Sequence, residues 1–143
     1  MNEKIKNQIQ NQVHKYYYDH DLNCARTSLY ILSEIFDVDL TSQVKAAAVG
    51  LHGAGGFRAQ CGLVEGALMF IGIYFASQNI DEDVIVSHCY RFGEAFNQEF
   101  GSLKCYNLRP QGFNIDDEPH MCEDLSRRAV CFTYDFIKKI IQN

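Results

Sequence analysis

Six cysteines are the side chains of this 143-residue sequence best equipped to do chemistry: Cys24, Cys61, Cys89, Cys105, Cys122 and Cys131. Thiols can cycle between dithiol and disulfide, with the more acidic one as nucleophile. As thiolates they can instead hold a metal ion or an iron–sulfur cluster. No C-x-x-C pair occurs anywhere in the chain. That removes the chelate loop of ordinary zinc fingers, the thioredoxin-type dithiol and covalent haem attachment through C-x-x-C-H. Any joint thiol site must therefore be assembled by tertiary folding. His52 and His120 are candidate extra ligands or bases, although a lone histidine is more often a surface or capping residue.

The elements that must position these thiols are organised around Gly50 to Ala76. Gly50, Gly53, Gly55 and Gly56 crowd together with His52, and Arg58 follows. Leu63 to Ala76 then carries a single charge, Glu65. This run falls short of the roughly 20 residues a bilayer span needs. A helix apolar on nearly all faces instead forms the buried centre of a bundle, here about residues 60–77. Cys61 stands where the glycine loop hands over to that helix. Unpaired amides and the positive end of the macrodipole favour thiolate there. The glycine loop follows a helix and lacks G-x-x-x-x-G-K-[ST], so it is neither a P-loop nor a Rossmann turn. Its amides, at Gly55 and Gly56, could still face an anion together with Arg58 and Gly62.

Periodicity supplies the other elements. Ile5, Ile9, Val13 and Tyr16 or Tyr17 form the stripe of a first helix. Tyr16, Tyr17 and Tyr18 read as packing residues. A second helix starts near Asp21 or Asn23, both suitable N-caps, and points Cys24 towards the core. Thr41 or Ser42 caps a short third helix that Gly50 ends in a left-handed conformation. Gly62, Gly66 and Ala67 give the central helix a side that another backbone can approach. Asp81, Glu82 and Asp83 open a fifth helix, with Ile85, Cys89, Phe92 and Phe96 on its apolar face. Ser102 caps one more turn, with Cys105 near its third position. Asn107 to Glu118 is a long polar loop, a candidate lid or partner surface. Pro119 suits the first position of the last helix. Cys122, Leu125, Ala129, Phe132, Phe136 and Ile140 share the buried face of that helix. Cys131 lies about 180° away from Cys122 beside Arg127, Arg128, Asp135 and Lys138, so it is set aside. The fold expected is all-α: one domain over residues 1–143, with five to six helices around the central one.

Composition narrows the function. The net charge is −5 and no Lys/Arg cluster is present, which argues against a nucleic-acid partner. The first residues, MNEKIKNQIQNQ, hold no apolar signal core, so a cytoplasmic location without membrane insertion is expected. In that compartment six cysteines point to redox or metal chemistry more than to a static disulfide framework.

Four cysteines, Cys24, Cys61, Cys105 and Cys122, fall in the first turn or so of an expected helix. With these residues the chain resembles the family of redox-active proteins named for a C_GCAxxG_C_C cysteine pattern. Asn23-Cys24-Ala25 matches its N-C-A stretch. Cys61-Gly62-Leu63-Val64-Glu65-Gly66-Ala67-Leu68 matches its C-G-A-x-x-G-A-L stretch, with Leu63 in place of alanine. Phe100-Gly101-Ser102-Leu103-Lys104-Cys105 matches its F-G-S-x-x-C segment, and Cys122 its last cysteine. The resemblance covers about residues 16 to 140 and leaves out Cys89 and Cys131. It implies a redox role through the four cysteines and a link to membrane transporters. Without C-x-x-C-H the chain looks like the haem-free form. The first expectation is a small thiol–disulfide or electron-transfer protein, with Cys61 as nucleophile and Cys24, Cys105 and Cys122 supplying the resolving partner and a second pair. It works either with redox dithiols and no cofactor or, as the second expectation, with an iron–sulfur cluster or zinc held by the same four thiolates. The third is a non-catalytic, transporter-associated helical partner. A redox protein or a transporter component is the expected partner, with a homodimer as a further arrangement.

Overall fold

The computed structural model describes residues 1–109, 116–117 and 120–143. Five long helices carry the fold: α1 (Glu3–Tyr18), α2 (Cys24–Ile35), α5 (Gly62–Ser77), α6 (Glu82–Phe100) and α8 (Glu123–Gln142). Three short ones join them: α3 (Ser42–Ala47), α4 (Gly53–Gly56) and α7 (Cys105–Leu108). Among the described residues there is no strand, only one isolated antiparallel bridge between Gln60 and Lys104. The all-α expectation holds, with the five long helices in the places periodicity gives them.

Helix α5 is the centre, packed against α2, α6 and α8. Its Leu63, Val64, Ala67, Phe70 and Ile71 are buried to within 1%, as a helix without a polar face requires. Helix α1 covers α2 and α8 with Ile9, Val13 and Tyr17. Among the described residues, no helix is long and apolar enough to cross a membrane.

The caps follow side-chain chemistry. Asn2, Asn23 and Thr41 each accept a backbone N–H with the side-chain oxygen, opening α1, α2 and α3, which satisfies one orphan donor per helix. Gly101 closes α6 at φ 88°, a left-handed position suited to glycine.

Three local expectations change. Helix α3 ends through Ala48 in right-handed geometry, and Gly50 is not among the left-handed residues; the left-handed turns come later, from Gly53 onwards. Cys105 is the first residue of α7 rather than its third. The Ser102 hydroxyl accepts from Lys104 N at 3.0 Å, which tightens the turn before the helix instead of capping it. Cys131 is buried, 9% exposed, because the wide apolar face of α8 also takes in Val130 and Thr133. Pro119 and most of the polar loop from Asn107 to Glu118 lie outside the described residues.

Candidate functional site

Each of the four pattern cysteines begins a helix. Cys24 is the first residue of α2 and Cys105 the first of α7, while Cys61 and Cys122 are the N-caps of α5 and α8. The fold brings these four helix starts to one end of the bundle.

Absent side chains bring the first two thiols together. A Cβ added at Gly62 would overlap Cys24 Sγ and stand 2.9 Å from Ala25 N. One turn later, a Cβ at Gly66 would collide with the Ala25 carbonyl and stand 3.1 Å from Ser28 Cβ. The start of α2 therefore lies directly on the backbone of α5. Leu63, the departure from the family's alanine, is 1% exposed in the core; the close approach runs through Gly62 and Gly66.

Backbone pairing brings in the third thiol. Cys61 N donates to Leu103 O at 2.8 Å, Cys105 N to Ala59 O at 2.8 Å and Tyr106 N to Arg58 O at 3.3 Å. Around the Gln60–Lys104 bridge this register sets Cys61 and Cys105 on the same side of the paired segments, since side chains alternate. The same pairing sets the Arg58 backbone beside Tyr106, the residue after Cys105. Arg58 is itself held at φ 72°, a conformation uncommon for a residue with a side chain.

Electrostatics shows that all four thiols share one neighbourhood. Cys61, Cys122 and Cys105 each hinder ionisation of Cys24. Cys105 and Cys122 do the same to Cys61, and Cys105 to Cys122. Cys89 and Cys131 take no part in this mutual effect; burial alone raises Cys89, and for Cys131 Asp135 adds to burial. All six cysteines are free thiols.

Burial decides the ionisation of the cluster. Cys61 is 5% exposed, and its thiol is pushed up to about 12, first by burial. The Leu63 and Val64 amides favour the thiolate, though no hydrogen bond caps the helix through the sulfur. The advantage of a helix start is outweighed by desolvation, reversing the acidity expected for Cys61. Cys24 is raised further still, again mainly by burial. Cys105 and Cys122 are raised by burial too, but Arg109 opposes the rise at both, and Arg58 opposes it at Cys105. Arg109 also pairs with Asp117 at 3.6 Å.

Around the thiols stands a polar support. Asn23 Oδ1 accepts from Arg26 N at 2.9 Å, and its Nδ2 donates to Val49 O at 2.8 Å and to His52 Nδ1 at 3.0 Å. One side chain thus fixes both the start of α2 and the entry to the glycine loop. The Gly55 and Gly56 amides donate inward, to Gly50 O at 2.8 Å and His52 O at 2.9 Å, so they are already engaged rather than turned towards an anion. His120 Nε2 donates to Asp21 Oδ1 at 3.0 Å, and its ring stacks on Tyr17 at 4.6 Å. Among the described residues, no three His, Cys, Asp or Glu side chains are arranged as a metal-ion site.

Two residues of this neighbourhood escape sequence reasoning. Tyr17 is 2% exposed and shares a hydrogen bond with Ser126. Its phenol is raised by burial and then by Cys24, Cys122 and Cys61, so it forms part of the wall of the thiol cluster. The available signal was its place on the α1 stripe, where a buried hydroxyl needs a partner. Arg109 follows a one-turn helix and carried no signal.

The fold and this site define a small all-α protein with four thiols gathered at the helix starts of one end. The chain belongs to the family described as Putative redox-active protein (C_GCAxxG_C_C), whose model matches residues 22–136. No curated protein and no solved structure gives a match.

Proposed function

We propose that this protein exchanges electrons with a partner through dithiol–disulfide chemistry at Cys24, Cys61, Cys105 and Cys122. One observation carries the reading: the start of α2 with Cys24 lies on the backbone of α5 just after Cys61, and the pairing around Gln60 and Lys104 sets Cys61 and Cys105 on one side. A partly desolvated space that gathers four neutral thiols suits a function that needs pairs of sulfur atoms within reach. Membership of a redox-active family supports the same conclusion. The proposed setting is the cytoplasm, with a redox protein or a membrane-transporter component as the partner.

The test is a redox titration on protein purified without oxygen, with iron and zinc content measured on the same sample. Protected thiols are counted by alkylation and peptide mass spectrometry. The expected result is a metal-free protein in which two or four of the pattern thiols become protected reversibly while Cys89 and Cys131 stay free. Stoichiometric iron or zinc would replace the dithiol reading with four-thiolate metal binding. Thiols that never become protected would leave a non-catalytic helical partner.

A further inference from the structure

Four cysteines allow three pairings, and the backbone discriminates among them. Cys24 Sγ fills the place that a side chain on Gly62 would take, and Ala25 N stands 2.9 Å from the same point. The Cys24 sulfur therefore rests against the Cα of the residue that follows Cys61. One turn on, the Ala25 carbonyl and Ser28 lie against Gly66 in the same way. These two contacts set α2 and α5 side by side, running in the same sense from a common start. Cys24 is the first residue of one helix and Cys61 the N-cap of the other. Adjacent Cα atoms are about 3.8 Å apart, and a disulfide joins cysteines whose Cα atoms lie about 4.4–6.8 Å apart. A sulfur seated on Gly62 thus has Cys61 within the span of a disulfide. The seat is closed by the loop before α5: His52 Cα lies 3.2 Å from the place of the missing Cβ, and Asn23 donates to both Val49 O and His52 Nδ1.

The other two thiols are held less closely. Across the paired segments Cys105 N donates to Ala59 O, and Cys61 N to Leu103 O. Cys105 is thus the diagonal neighbour of Cys61. Diagonal neighbours stand about 7–8 Å apart between Cα atoms, at or beyond the limit of a disulfide. Cys122 is tied to the start of α2 through side chains, His120 Nε2 donating to Asp21 Oδ1 at 3.0 Å. The Asp21 side chain is 90% exposed, and such a pair holds position weakly.

We propose that Cys24 and Cys61 are the pair that cycles between dithiol and disulfide, and that Gly62 is the positioning residue that lets their sulfurs meet. This assignment rests on the dithiol reading. One of the two thiols loses its proton to solvent, and its thiolate attacks a disulfide of the partner. A mixed disulfide forms, the partner's own S–S bond breaks, and its second sulfur leaves as a thiolate that takes up a proton. The other thiol of the pair, deprotonated in turn, attacks the linked sulfur of this chain. The Cys24–Cys61 bond forms, and the partner's first sulfur leaves and takes up a proton. Two electrons and two protons pass to the partner, and the reverse sequence restores the dithiol.

The experiment uses the full reduced chain, with oxidised glutathione as the disulfide probe. Remaining thiols are blocked with N-ethylmaleimide in acid, and linked peptides are read by mass spectrometry without reduction. Trypsin leaves Cys61 and Cys89 on one peptide, so cleavage after Glu65 is added to separate them. The Cys24–Cys61 link should exceed every other pair by about tenfold or more and vanish with dithiothreitol. This measurement needs no variant. Gly62→Ala puts a methyl group where the Cys24 sulfur lies and should slow formation of the link by about tenfold or more. Gly72→Ala, on the same helix with open space around it, should link at the wild-type rate. A dominant link between any other two cysteines, or wild-type linking in Gly62→Ala, would overturn the assignment. A reversible link between other pattern cysteines removes only this pair, whereas no reversible link at all removes the dithiol reading itself.

Discussion

Helix α5 meets α2 through absent side chains, whereas α6 meets α8 through rings. On the first seam, Gly62 and Gly66 leave room for Cys24 Sγ and the Ala25 carbonyl. On the second, Phe92, Phe96, Phe100, Phe132 and Phe136 form a chain of tilted and edge-on contacts with centroids 4.5 to 6.2 Å apart. The aromatic seam removes much apolar area from water and contributes mainly stability. The glycine seam buries less but fixes backbone against backbone, so it sets where a sulfur lies. Among the described residues, four of the six non-glycine residues with positive φ, Asp21, Ala54, Arg58 and His120, belong to the thiol end. Strain of this kind concentrates where position matters more than stability.

The largest effect should come from breaking the aromatic seam. Phe92 is 0% exposed, and Phe92→Ala should cost about 3–5 kcal/mol through lost burial and the cavity left behind. Urea unfolding reads this loss, and the alkylation order of the folded fraction should stay as in the wild type. A loss below about 1 kcal/mol would remove the division of labour between the two seams.

A smaller loss with a larger consequence for the thiols is expected from Gly66→Ala. The new Cβ meets the backbone of Ala25 rather than a flexible side chain, so α2 must shift, at a cost of roughly 1–3 kcal/mol. Labelling of Cys24 by iodoacetamide should speed up in this variant and not in Phe92→Ala. Equal thiol reactivity in both variants would show that the glycine seam does not position the sulfur.

The smallest effect at neutral pH is the linkage between folding and thiol ionisation. An unfolded cysteine ionises near 9.0, and Cys61 in the fold only near about 12. Between these values the unfolded chain has released a proton that the native chain keeps. Native stability is therefore full below about 9 and is lost as pH rises through about 12. Melting of the reduced protein should fall steadily from pH 9 to 11, and more steeply in the wild type than in Cys61→Ser. Parallel curves for the two proteins would contradict the buried neutral thiol.

Sequence alone carried the architecture a long way. The unbroken apolar run after Cys61 can fold only as a buried helix, and the 3.6-residue stripes set the long helices around it. Asn23 announced the start of α2 because capping chemistry is local. The spacing of Cys24, Cys61, Cys105 and Cys122 separated these thiols from Cys89. What only the tertiary structure decided is what happens between elements distant in the chain. Sequence proximity gave Arg58 to Cys61; in the fold its charge acts on Cys105. Position at a helix start suggested an acidic Cys61; its surroundings in the core make it a reluctant one. Tyr17 read as packing until the fold set its hydroxyl beside the thiols. Local rules fix helices and caps because their partners lie within four residues. Ionisation depends on desolvation and on charges that arrive from anywhere in the chain, so it becomes readable only after the chain has folded.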